Sequence, residues 1–127
     1  MELNIDCVRD ILMVCEDTPF LSETLAWEPF WLNYFVDKLP KYSKNQIAYT
    51  ISLLGEAGYL KIDCQYGDNN LRALEVSRLT YKGHELLDSI KPEKIWTKVL
   101  KTLGSINNVS LPILQDIASD ILKKLVS

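Results

Sequence analysis

The 127 residues and 47% hydrophobic composition suffice for one compact domain whose core needs neither disulfide nor structural metal. No apolar run approaches the roughly 18 to 20 residues of a spanning helix, and no basic-then-apolar leader opens the sequence, so a membrane protein is excluded and a cytoplasmic location is expected. The formal net charge of -3 and pI near 5.1 exclude a broadly basic nucleic-acid binder, so attraction to phosphate has to come from a local surface.

In residues 5 to 16, Ile5, Val8, Ile11, Leu12 and Cys15 recur at helical spacing, and Asp6, Arg9, Asp10 and Glu16 hold the remaining face. This predicts a first helix, with Asn4 or Asp6 as its cap. Asp17, Thr18, Pro19 and Ser22 show no period, so residues 17 to 28 read as a loop. Residues 29 to 39 read as a second helix with Pro29 in its first position, burying some of Phe30, Trp31, Tyr34 and Phe35. After Pro40, Ser43 caps a third helix from about 44 to 57. On it Ile47, Ile51 and Leu54 face inward, and Asn45, Tyr49, Ser52 and Glu56 face outward.

Leu60, Ile62 and Cys64 then alternate with polar residues at the strand period, and Gly67-Asp68-Asn69-Asn70 is dense turn chemistry. The chain returns through Leu74 and Val76 to Leu79, which predicts a β-hairpin. Thr80 caps a fourth helix with Tyr81, Leu86, Leu87 and Ile90 available for burial. Pro92 starts a fifth helix that Gly104 closes, apolar through Ile95, Trp96, Val99, Leu100 and Leu103. Ser110 opens a last helix that carries Ile113, Leu114, Ile117, Ala118, Ile121, Leu122 and Leu125.

Helix, helix, helix, hairpin, helix is the order of a winged helix. The expected class is α+β, mostly α: a winged helix-turn-helix with a β-hairpin wing over residues 1–90, and a helical extension over 91–127 packed on it as one compact domain. Gly58 fits this reading, because a chain that leaves a helix and turns at once into a strand needs a left-handed residue, which glycine supplies at least cost.

The stretch Leu79-Thr80-Tyr81-Lys82-Gly83-His84-Glu85-Leu86-Leu87-Asp88 resembles the LT-x-x-GHEFLD block of the domain-of-unknown-function family 2513, a group of uncharacterised bacterial and prophage proteins. The opening MELNIDCVRDIL is similar to that family's first helix, Lys94-Ile95-Trp96 to its K-x-W, and Ser110 to Leu125 to its closing helix. Two departures stand out: Tyr49-Thr50 where the family often has a histidine after the tyrosine, and Leu86 where it has phenylalanine. The resemblance implies a winged-helix-like fold and phage association, and it brings no activity and no catalytic residues.

Four features bear on function. His84 is the one histidine, without the second histidine of a zinc-protease helix, and the glycines fall singly at element ends rather than in a phosphate loop. His84 therefore reads as packing its helix onto the wing, the three cysteines Cys7, Cys15 and Cys64 as small buried apolar groups, and no enzyme activity, cofactor or metal is expected. The outward face of the third helix offers Lys44, Asn45, Tyr49 and Ser52, aided by Lys41, Lys61 and Arg72. Asn45, Tyr49 and Ser52 would face bases and the four cations phosphates. Against them stand Glu56, Asp63 and Asp68. Lys91, Lys94, Lys98 and Lys101 form a basic stripe, which is either a solvated helix face or a guide for nucleic acid or an acidic protein surface. Leu114, Ile117, Ile121 and Leu125 either close the core or pair with a second copy as a homodimer.

Two functions follow. The first is a phage-type winged-helix regulator that binds duplex DNA. The second is a protein-binding adaptor or inhibitor acting on a host or phage protein, which the acidic N-terminal part and the aromatics Trp27, Phe30, Trp31, Tyr34 and Phe35 would serve if exposed.

Overall fold

In the computed structural model, which describes residues 2–104 and 109–126, four helices begin at a side chain that accepts a hydrogen bond from the following turn. Asn4 accepts from Cys7 N at 3.1 Å, Ser43 from Gln46 N at 3.1 Å, Thr80 from Gly83 N at 3.1 Å and Ser110 from Ile113 N at 3.4 Å. The element order is α1 (Ile5–Asp17), β1 (Phe30–Trp31), α2 (Leu32–Lys38), α3 (Lys44–Glu56), β2 (Leu60–Gly67), β3 (Asn70–Leu79), α4 (Tyr81–Ile90), α5 (Glu93–Leu103) and α6 (Leu111–Val126). Among the described residues the fold is thus α+β and mostly helical, with one antiparallel sheet in the order β1-β3-β2.

The second helix is shorter than its sequence predicts. Phe30 and Trp31 pair with Val76 and Glu75 on the free edge of β3, and helix starts only at Leu32, so Pro29 is not its first residue. Two aromatic residues gain more from a sheet edge than from another half-turn of helix. Phe30 also meets Phe20 edge-on at 5.5 Å and Tyr34 at 4.6 Å.

β2 and β3 pair antiparallel from Leu60↔Leu79 to Gly67↔Asn70, with register shifts between Lys61 and Ile62 and between Gln65 and Tyr66. Asp68 (φ 52°) and Asn69 (φ 65°) form the two-residue turn, a left-handed pair suited to the twist of a hairpin. Gly58 has φ 86°, and the next amide, Tyr59 N, reaches back to Leu54 O at 2.9 Å and closes α3. Gly83 answers a different need. A Cβ there would lie 2.1 Å from Tyr59 O, so α4 meets the start of β2 only through a residue without a side chain.

One continuous core runs from Ile11 and Leu12 on α1 through Ile47, Ile51 and Leu54 on α3, Leu74 and Val76 on β3 and Leu86 on α4, to Val99 on α5 and Leu114 on α6. α5 and α6 therefore complete this core. Arg9, read from sequence as part of a polar face, is buried: Nε donates to Ile90 O at 3.0 Å and Nη2 to Lys91 O at 2.6 Å, with Trp96 5.4 Å below the guanidinium. It caps the end of α4 and ties α1 to the α4–α5 junction. Tyr59 hydroxyl donates to Gln115 at 2.8 Å and ties β2 to α6.

Three burial expectations are corrected. Tyr81, in the first turn of α4, is 79% exposed and lines a surface groove beside Arg78 of β3. His84, one turn on, is exposed on the same side and does not pack onto the hairpin. Cys64 is half-buried rather than buried, packed at the margin of the core.

Candidate functional site

The outward face of α3 is divided. Lys44 and Asn45, in its first turn, are exposed. Further along, Ser52 spends its hydroxyl on Ala48 O at 2.8 Å, and Tyr49 and Ser52 are half-buried rather than free. Tyr49 and Glu56 line an apolar hollow of about 530 Å³ with Val109, just before α6, and with Leu111 and Pro112 in its first turn. That stretch brings apolar residues needing cover, and α3 supplies it.

At the open end, Lys44 meets Arg72 across a cleft of about 230 Å³, lined also by Trp31 and Asn33. Four elements build it: the first turn of α3, the end of β1, the start of α2, and β3 just after the hairpin turn. Arg72 runs over Gly67, where a Cβ would stand 2.8 Å from Nε. Its Nη2 lies 3.4 Å from Asp68, an ion pair 59% and 92% exposed on its two sides and therefore of little energetic weight.

The other proposed phosphate contacts lie elsewhere. Lys41 Nζ is 3.1 Å from Asp10, a carboxylate that also accepts the Tyr42 hydroxyl at 2.7 Å, so it is drawn toward α1 and away from the cleft. Burial and that carboxylate push the Tyr42 hydroxyl well above its ordinary value. Lys61 is exposed on the sheet opposite Arg78, and two rungs on Asp63 faces Glu75. Of the proposed phosphate contacts, Lys44 and Arg72 thus share the cleft, and Asp63 and Glu75 bring acidic groups onto the sheet that carries Lys61.

In the basic stripe, Lys94, Lys98 and Lys101 are exposed on α5. Lys91 is not free with them: it bonds Glu16 at the end of α1, and that carboxylate raises its pKa. On α6, Leu114 closes the core, Ile117 and Ile121 are half-buried, and Leu125 is 37% exposed. The aromatic cluster also splits. Phe35 is buried and Phe30 and Tyr34 are half-buried, whereas Trp27 and Trp31 are 59% and 54% exposed.

Sequence reasoning missed Asn33 and Trp31 as cleft residues and Tyr66, 68% exposed near the hairpin tip. Asn33 and Trp31 reach the cleft only through the pairing of β1 with β3, which no local pattern signals. Burial pushes the Cys15 thiol up to about 12 and raises Cys7 as well, so both are poor nucleophiles. Among the described residues no three His, Cys, Asp or Glu side chains stand together as a metal site, and no helix is long and apolar enough to cross a membrane.

The family model described as "Hypothetical protein (DUF2513)" matches residues 2–109. An uncharacterised protein of Haemophilus influenzae is 26% identical over 128 residues, covering 100% of both chains. No solved structure matches the chain.

Proposed function

The chain belongs to the DUF2513 family, whose description carries no activity, and from the geometry of its own surface we propose a non-enzymatic winged-helix protein that holds duplex DNA. The observation that carries this reading is the cleft in which Lys44, from the first turn of α3, and Arg72, from the strand after the hairpin turn, face a common space. The order α1-β1-α2-α3-β2-β3 supports the winged-helix reading, with α3 as the helix that enters the major groove and the hairpin as the wing. Asn45, exposed beside Lys44, is placed to bond an adenine edge, and Lys61 at the sheet rim adds a further phosphate contact. Tyr49 and Ser52 take no part in base reading. A phage-type regulator in a bacterial cytoplasm, dimeric through the exposed end of α6, is the setting in which such a domain would act.

With about three phosphate contacts per chain, log affinity falls against log salt with a slope of about -3 for a monomer. Affinity for random and genomic duplexes at two salt concentrations tests this. The expected result is weak binding at low salt with that shallow slope, lost in Lys44→Ala together with Arg72→Ala. No binding to any duplex at low salt removes the reading.

A second reading, a partner-binding adaptor or inhibitor, is favoured by the exposure of Trp27 and Trp31. A pull-down from host lysate that returns a stoichiometric partner with the native chain, and none with Trp27→Ala, is its expected result. The same partner in the same amount with both chains contradicts it.

A further inference from the structure

The segment between α1 and β1 forms a small hairpin of its own. Leu21 and Trp27 make an isolated antiparallel bridge, Ser22 N donates to Ala26 O at 2.8 Å, and Glu28 N donates to Phe20 O at 2.7 Å. At its tip Leu25 adopts φ 63°, a left-handed conformation that disfavours a residue with a Cβ, and it is 77% exposed. Neither backbone preference nor burial accounts for a leucine there. An apolar side chain held in a strained, solvated position points to a use outside the fold.

The base of this hairpin lines a groove of about 530 Å³ with Phe20, Leu21 and Trp27 on one side and Arg78, Tyr81 and His84 on the other. Trp27 and Tyr81 are 59% and 79% exposed. The Arg78 guanidinium lies 5.8 Å from the centre of the Trp27 ring and, among the described residues, enters no ion pair. Across the sheet Arg78 faces Lys61, another cation. The carboxylate that does line the groove, Glu16, is taken up by Lys91. The groove therefore sets an unneutralised, planar cation beside an aromatic floor, on a chain whose net charge is -3.

We propose that this groove docks a short peptide segment of another protein, with an aromatic or branched aliphatic side chain against Trp27 and Tyr81 and a neighbouring carboxylate on Arg78. The proposal rests on the partner-binding reading of the exposed tryptophans and adds the ligand class. A planar guanidinium matches a carboxylate through two parallel hydrogen bonds. A duplex would ask for several cations along one track, and a second copy docked face to face through the same patch would bring two Arg78 side chains together.

Panning a display library of random short peptides on the full chain, then measuring the affinity of enriched peptides, tests the proposal. Enriched peptides are expected to set an acidic residue beside an aromatic or aliphatic one, and Trp27→Ala and Arg78→Glu should each weaken them about tenfold or more. Leu25→Asn, which suits the left-handed tip and so preserves folding, should weaken them several-fold, while Lys44→Ala leaves them unchanged. Dependence on Trp27 without dependence on Arg78 overturns the acidic ligand class and leaves the partner-binding reading standing. No enrichment, dependence on neither residue, or self-association that Trp27→Ala abolishes overturns the docking of a foreign peptide.

Discussion

Asp68 sits where two demands meet. The hairpin turn needs a residue that tolerates φ 52°, and the Arg72 guanidinium paired with it is the cation that the proposed duplex reading sets against phosphate. Asparagine accepts the same backbone without the charge. Asp68→Asn should therefore change stability by less than about 0.5 kcal/mol and tighten duplex binding a few-fold at low salt, read by fluorescence anisotropy. Unchanged affinity would contradict a role for Arg72 at phosphate. Cys15 makes a second residue-scale case, on stability. Folding raises its thiol from 9.0 to about 12, so the native state favours the protonated form. That contribution is fully present below pH 9 and is lost as pH climbs through 12. Cys15→Ala should lower stability near neutrality and flatten its alkaline decline in urea titrations, and an unchanged decline would contradict the assignment.

Among the elements, the junction of α4 and α5 depends on a side chain from the far end of the chain. Arg9 supplies donors to Ile90 O and Lys91 O, and removing it strands buried carbonyls at a helix end. Arg9→Ala should cost about 2–4 kcal/mol, seen as a lower urea midpoint with unchanged slope, and Arg9→Lys should recover only part of it. A loss within error of zero would mean water satisfies those carbonyls. Element by element, what was legible in sequence was local chemistry. The caps at Asn4, Ser43 and Thr80, the exit at Gly58 and the 67–70 turn all act within a few residues of themselves. What was not legible came from distant parts of the chain. Phe30 and Trp31 became a strand because β3 had a free edge, and Tyr49 was half-covered because Val109 and Leu111 needed a neighbour.

Across the whole molecule, a chain of net charge -3 distributes its cations unevenly. Several are consumed internally: Arg9 as a cap, Lys41 on Asp10, and Lys82 donating to Ala57 O at 3.0 Å. Lys44 and Arg72 share the cleft, and Lys94, Lys98 and Lys101 stand apart on α5. In the proposed function the cleft, and not the α5 face, receives the duplex. The most direct measurement is a map of backbone amide chemical-shift changes as a short duplex is added to the full chain at low salt. The changes should concentrate at Lys44, Asn45 and the Arg72 strand and disappear with Lys44→Ala and Arg72→Ala combined. Changes centred on Lys94 to Lys101, or none at any duplex concentration, would contradict the claim.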